Sequence, residues 1–188
     1  MNINEIKTPD DILEYFKENI KYGWVGSDNI KRVNSMEAFR MYYRTSSIED
    51  TINEKVGTCI EQVCLMNYLL NKLSVETKMF CTRLYEDETF NDLKAPERMH
   101  CFVLYYVDDK VYQMEHPDPE RVGIWKYDSE DEAIKFLESR YENMTKEDLE
   151  KKGLEVNFED IKRTTTRFYD IPKGLSYKEL NLYINKLK

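Results

Sequence analysis

Histidine is scarce in this chain: only His100 and His116 occur in 188 residues. The four cysteines (Cys59, Cys64, Cys81, Cys101) contain no C-x-x-C spacing. With two histidines to join them, a zinc site is poorly supported, and no metal or other cofactor is expected. Basic residues gather in no stripe and the net charge is −8, which argues against a phosphate-binding nucleic-acid surface. The N-terminal stretch lacks the apolar segment of a secretory signal, and the longest strongly apolar run, CFVLYYV, is far too short to span a bilayer. The expectation is a soluble, cytoplasmic protein with no membrane partner, whose thiols stay reduced. Repeats and low-complexity linkers are absent too, so a single domain over residues 1–188 is the simplest organisation.

What is present suits a globular core: 41% apolar residues and 13% aromatic ones, 14 of them tyrosines, despite 34% charged side chains. Thr8-Pro9-Asp10-Asp11 predicts a helix start, with Thr8 as N-cap and proline at the first helical position; Ile12, Leu13, Phe16 and Ile20 follow at helical spacing. KYGWVGSDN breaks that helix. A short helix is expected from Ile48 to Lys55, capped by Ser46 or Ser47 and closed near Gly57. From Cys59, the residues Ile60, Val63, Cys64, Met66, Leu69, Leu70 and Leu73 trace the buried face of another helix.

VETKMFCTRLY has strand composition, and Glu86 to Met99 reads as a polar loop. HCFVLYYV and KVYQMEH flank Asp108-Asp109 as a hairpin. Ser129-Glu130-Asp131-Glu132 is a capping-box pattern before a helix with Ile134, Leu137 and Tyr141, and a separate short helix is expected from Lys146 to Lys152, stopping at Gly153. VNFEDIKRTTTRFYDIP is more extended, and Ser176 caps a last helix carrying Leu180, Tyr183, Ile184 and Leu187. This order implies an α+β fold with an antiparallel sheet packed on the Cys59 helix, a core at about residues 45–138, and helical additions at 1–44 and 139–188.

Cys59 follows Gly57-Thr58 at the start of its helix. A sulfur in the first turn lies beside free backbone N–H groups, which favour a thiolate, and the Cys59 amide suits the oxyanion of a tetrahedral intermediate. Taken alone, a cysteine is far more often a core residue, and Cys64, Cys81 and Cys101 are assigned that role. The hairpin separates Cys59 from them. If Asp108-Asp109 form a two-residue turn, Val107 pairs with Lys110 and Phe102 lies opposite Glu115. His100, Phe102 and Glu115 then share one face of the sheet, while Cys101 and His116 share the other. Glu115 becomes a diagonal neighbour of His100, able to orient its imidazole. A three-residue turn would instead bring His116 to the His100 face.

The segments GTCIEQVCLMNYLL and HCFVLYYVDDKVYQMEHPDP resemble the core of the transglutaminase-like superfamily of papain-type cysteine enzymes. There a G-x-C opens a core helix, a His begins a strand, and an acid, usually Asp before Pro, ends the next strand. The resemblance implies Cys59 as nucleophile and His100 as general base. For the third member, Glu115 ranks first, then Asp118, with His116 as an unusual third choice. Ile60 stands where the family usually has a tryptophan. Trp24 and Tyr112 are candidate groove residues, although packing roles are the commoner fate of such aromatics. The activity implied is acyl transfer from an amide or peptide bond through a thioester, on a protein or peptide substrate, hydrolysis before cross-linking. The alternatives are a binding module without turnover and an arylamine-type acetyl transferase, for whose acyl-CoA no basic phosphate cradle is visible.

Overall fold

The computed structural model describes residues 2–85, 98–151, 153 and 162–187. In chain order these form α1 (Pro9–Asn19), β1 (Lys21–Val25), β2 (Lys31–Val33), α2 (Phe39–Tyr42), α3 (Ile48–Glu54), β3 (Val56–Gly57) and α4 (Cys59–Lys72). There follow β4 (Glu76–Tyr85), β5 (Arg98–Val107), β6 (Lys110–Glu115), β7 (Gly123–Tyr127), α5 (Glu130–Lys151), β8 (Lys162–Phe168) and α6 (Tyr177–Asn185). The fold is α+β. A five-stranded antiparallel sheet runs in the order β7-β6-β5-β4-β8, and a small second sheet runs β2-β1-β3.

Alternation along β4, β5 and β6 divides the core in two. One face sends Cys81, Cys101, Val103, Tyr105 and Met114 against α4 and α1. The other sends Phe80, Phe102, Leu104 and Val111 against Ala133 and Leu137 of α5. The hairpin turn at Asp108 and Asp109 has positive φ at both residues, 49° and 58°, and Val107 pairs with Lys110. A two-residue turn with both φ positive matches the strand twist, so the register expected from the sequence is the one present.

Thr8 caps α1 with Pro9 at its first position, Ser47 caps α3, and Ser176 caps α6. Three expectations need correction. The stretches on either side of the core are not purely helical: KYGWVGSDN supplies β1, which pairs with both β2 and β3, and β8 joins the main sheet. The helix expected to end after Tyr141 continues without a break to Lys151, because Ala133, Leu137, Tyr141, Thr145 and Leu149 repeat every fourth residue and are all buried. The Thr145 hydroxyl in that stripe donates to the Tyr141 carbonyl at 2.9 Å. Finally, β5 begins at Arg98, two residues before His100. Most of the expected Glu86–Met99 loop, residues 86–97, lies outside the described residues, as do 154–161 of the expected extended stretch. Among the described residues no helix is long and apolar enough to cross a membrane.

Phe102 is sealed between the sheet and α5, its ring stacked on Phe80 at 5.5 Å. Phe102→Ala is expected to lower stability by about 3–5 kcal/mol in urea unfolding, through lost burial and the cavity left behind.

Candidate active site

The turn that delivers Cys59 is organised around a buried acid. Glu61, the third residue of α4, accepts the Thr58 amide at 2.9 Å and the Ser46 amide at 3.3 Å, together with the hydroxyls of Thr58 and Tyr43. The carboxylate thereby satisfies donors at the helix start and ties the 43–46 segment to it. Gln62, fully buried, donates to the Gly57 carbonyl at 2.8 Å and accepts from His116 Nδ1 at 2.7 Å. An added side chain at Gly57 would meet Cβ of Glu61 at 3.0 Å, so the close approach of this turn to its own helix calls for glycine.

Strand β6 ends at Glu115, opposite Phe102, and therefore leaves residues 98–101 of β5 without a strand neighbour on that side among the described residues. The N-terminus of α4 docks against this uncovered stretch. Cys59 Sγ lies 4.0 Å from the Met99 carbonyl oxygen and is hydrogen-bonded with Cys101, through both its thiol and its backbone amide. His100, on the opposite face of the same strand, lies in electrostatic contact with the sulfur around this open edge.

The imidazole is fixed from two directions. Its Nε2 donates to Glu115 Oε2 at 3.2 Å, and its ring lies nearly parallel to Tyr141 of α5, with centroids 5.7 Å apart. Nδ1 is then the nitrogen left for chemistry at Cys59. Glu115, only 2% exposed, accepts two further bonds, from Gln113 Nε2 at 2.8 Å and the Asp118 amide at 2.9 Å. Gln113 is oriented in turn, its Oε1 accepting from Arg121 at 3.3 Å and from the Tyr127 hydroxyl at 3.2 Å.

This arrangement favours a charged pair. Burial opposes protonation of His100, but the Glu115 charge and hydrogen bond, with a smaller contribution from Cys59, outweigh it and push the imidazole up to about 9. The hydrogen bond with Cys101 holds the Cys59 thiol below its ordinary value; burial works against this, and the His100 charge and the Cys101 amide assist. Burial pushes Cys64 and Cys101 the other way. A thiolate beside an imidazolium is the nucleophile–acid pair needed for attack on a carbonyl and protonation of a leaving amine.

Of the residues singled out from the sequence, Cys59, His100 and Glu115 meet at this end of the sheet. The others are committed elsewhere. Asp118 is paired with Arg140 Nε at 2.7 Å and reaches the site through its backbone amide. His116 lies past the end of β6, bonded to Gln62 and edge-on to Phe16. Trp24 and Tyr112 are engaged in packing: Trp24 is buried against Phe39 and Tyr43 with Nε1 on the Ser35 carbonyl, and Tyr112 stacks on Tyr105. The cavity beside Cys59, about 560 Å³, is lined instead by Tyr22, Phe39, Tyr43, Arg98, Tyr141 and Tyr177, among others. The sequence reading overlooked Gln113, although strand alternation places it on the Glu115 face; Arg121 and Tyr127 carry no comparable signal.

Iodoacetamide is expected to alkylate Cys59 at pH values where Cys64 is inert, with mass spectrometry locating the label. The His100–Glu115 pair raises the imidazole above its ordinary 6.5, so its stabilisation is complete below that pH and is lost as pH rises through about 9. Urea unfolding from pH 6 to pH 10 is expected to show this loss, of order 3 kcal/mol, and Glu115→Gln to flatten it.

A family profile described as transglutaminase-like domain matches residues 2–143. No curated protein and no solved structure gives a significant match. The match takes in the G-x-C helix start, the His100 strand and the acid-bearing return strand, and extends back through α1, β1 and β2. The chain belongs to the transglutaminase-like domain family.

Proposed function

We propose that this protein is a cysteine-dependent acyl-transfer enzyme that cleaves an amide or peptide bond through a thioester on Cys59. The observation that carries this reading is the His100–Glu115 bond beside a thiol whose surroundings favour its thiolate. The Cys59 sulfur attacks the carbonyl carbon, and the electron pair of the C=O bond moves to oxygen. Collapse of that intermediate expels the amine, which takes its proton from the His100 imidazolium. Glu115 holds the ring so that Nδ1 faces the reacting atoms. Hydrolysis of the thioester is proposed ahead of transfer to a second amine because it needs no second amine substrate to be bound beside Cys59. Water is then the most abundant acceptor.

The test is acylation by p-nitrophenyl acetate, followed by intact mass and p-nitrophenol release. Cys59→Ser is expected to abolish the adduct. His100→Asn and Glu115→Gln are expected to slow turnover by about 10²–10⁴-fold. Excess methylamine distinguishes the two fates: free acetate as the main product supports hydrolysis, and N-methylacetamide as the main product reassigns the protein as a transamidase. A wild-type Cys59 that forms no adduct and alkylates no faster than Cys64 would leave a binding module without turnover.

A further inference from the structure

Strand β1 runs parallel to β3, with Tyr22 level with Gly57, two residues before the nucleophile. The Tyr22 side chain lines the cavity that contains Cys59, and also an adjoining cavity of about 640 Å³ lined by His116, Pro117 and Val122. Tyr22 and Met36 are shared by the two, so Tyr22 stands where they meet, beside the start of α4. Tyr43 also borders the Cys59 cavity, but its hydroxyl is spent on Glu61. The Tyr22 hydroxyl, by contrast, makes no hydrogen bond to any described residue.

We infer that Tyr22 is a further catalytic residue of the site, its hydroxyl donating a hydrogen bond to the oxyanion that forms when Cys59 attacks a carbonyl. The inference rests on the thioester chemistry proposed above. As the C–S bond forms, the C=O electron pair moves to oxygen, and that oxygen needs donors already in place. The amide of Cys59, first in α4, has no acceptor inside the helix and supplies one donor. Tyr22, on the neighbouring strand, supplies the second. No proton is transferred: the bond strengthens as charge builds on the oxygen and weakens when the pair returns and the C–N bond breaks. Burial pushes the Tyr22 hydroxyl well above its ordinary value, and Cys59 is the neighbouring charge that acts on it most strongly, ahead of Glu61, Cys101 and Tyr177. The group therefore remains an O–H donor across the pH range in which the thiolate exists.

Two reagents separate this role from packing or from tuning of the thiol. Iodoacetamide reacts with Cys59 by displacement at a saturated carbon and forms no oxyanion, whereas p-nitrophenyl acetate reacts through one. Tyr22→Phe is expected to slow acylation of Cys59 by about 100-fold while leaving its alkylation unchanged within about twofold, and the unchanged alkylation reports an intact fold and thiolate. Equal slowing of both reactions, or acylation as fast as in the wild type, overturns the assignment and leaves the proposed thioester chemistry standing. A wild-type protein alkylated at Cys59 but never acylated overturns both.

Discussion

The buried carboxylate of Glu61 is the constraint on which the rest of the site depends. It sits at the positive end of α4 and gathers donors from the helix start, from Ser46 and from Tyr43. Those contacts set where the first turn begins and therefore where the Cys59 sulfur emerges. They also carry a cost, because the Glu61 charge opposes a thiolate at Cys59. The hydrogen bond with Cys101 and the positive charge of His100 act in the other direction and prevail. Cys59 is thus placed by one acid and its thiolate favoured in spite of it, while a second acid, Glu115, acts on His100 from the far side.

The two halves come together because β6 is shorter than its partner β5. Had β6 continued past Glu115, its backbone would have occupied the edge of β5 against which α4 docks. A helix on one face of the sheet and a histidine on the other can act on a common substrate only around such an edge. Pro117, which has no backbone N–H to give to a ladder, follows soon after the strand ends. Tyr141 closes the arrangement from α5, so the continuity of that long helix bears directly on the orientation of the His100 ring.

Much of this was legible in the sequence, for reasons that differ by element. Helix starts at Thr8, at Ser46 or Ser47, at Thr58 and at Ser176 were visible because capping is local chemistry written within four residues. The hairpin register followed from the turn, and with it the shared face of His100 and Glu115. Long-range partnerships left no such trace. Arg140 on Asp118, His116 on Gln62 and Tyr43 on Glu61 join residues far apart in the chain, and nothing in their local sequence announces them. KYGWVGSDN was recognised as the end of a helix but not as a strand, because β1 gains its identity from pairing with β2 and β3 rather than from an alternating pattern of its own.

The tight turn at Asp108-Asp109 also limits how this sequence can vary in length. His100 and Glu115 lie 15 residues apart along a hairpin without slack. A single insertion in either strand would rotate everything beyond it to the opposite face and turn the acid away from the imidazole. A loop that changed the turn by one residue would do the same. Length changes before Arg98 or after Asp118 leave that geometry untouched. Relatives that keep this chemistry should therefore hold the spacing from histidine to acid nearly constant, or change it in steps that preserve the face, while diverging freely in length outside the hairpin.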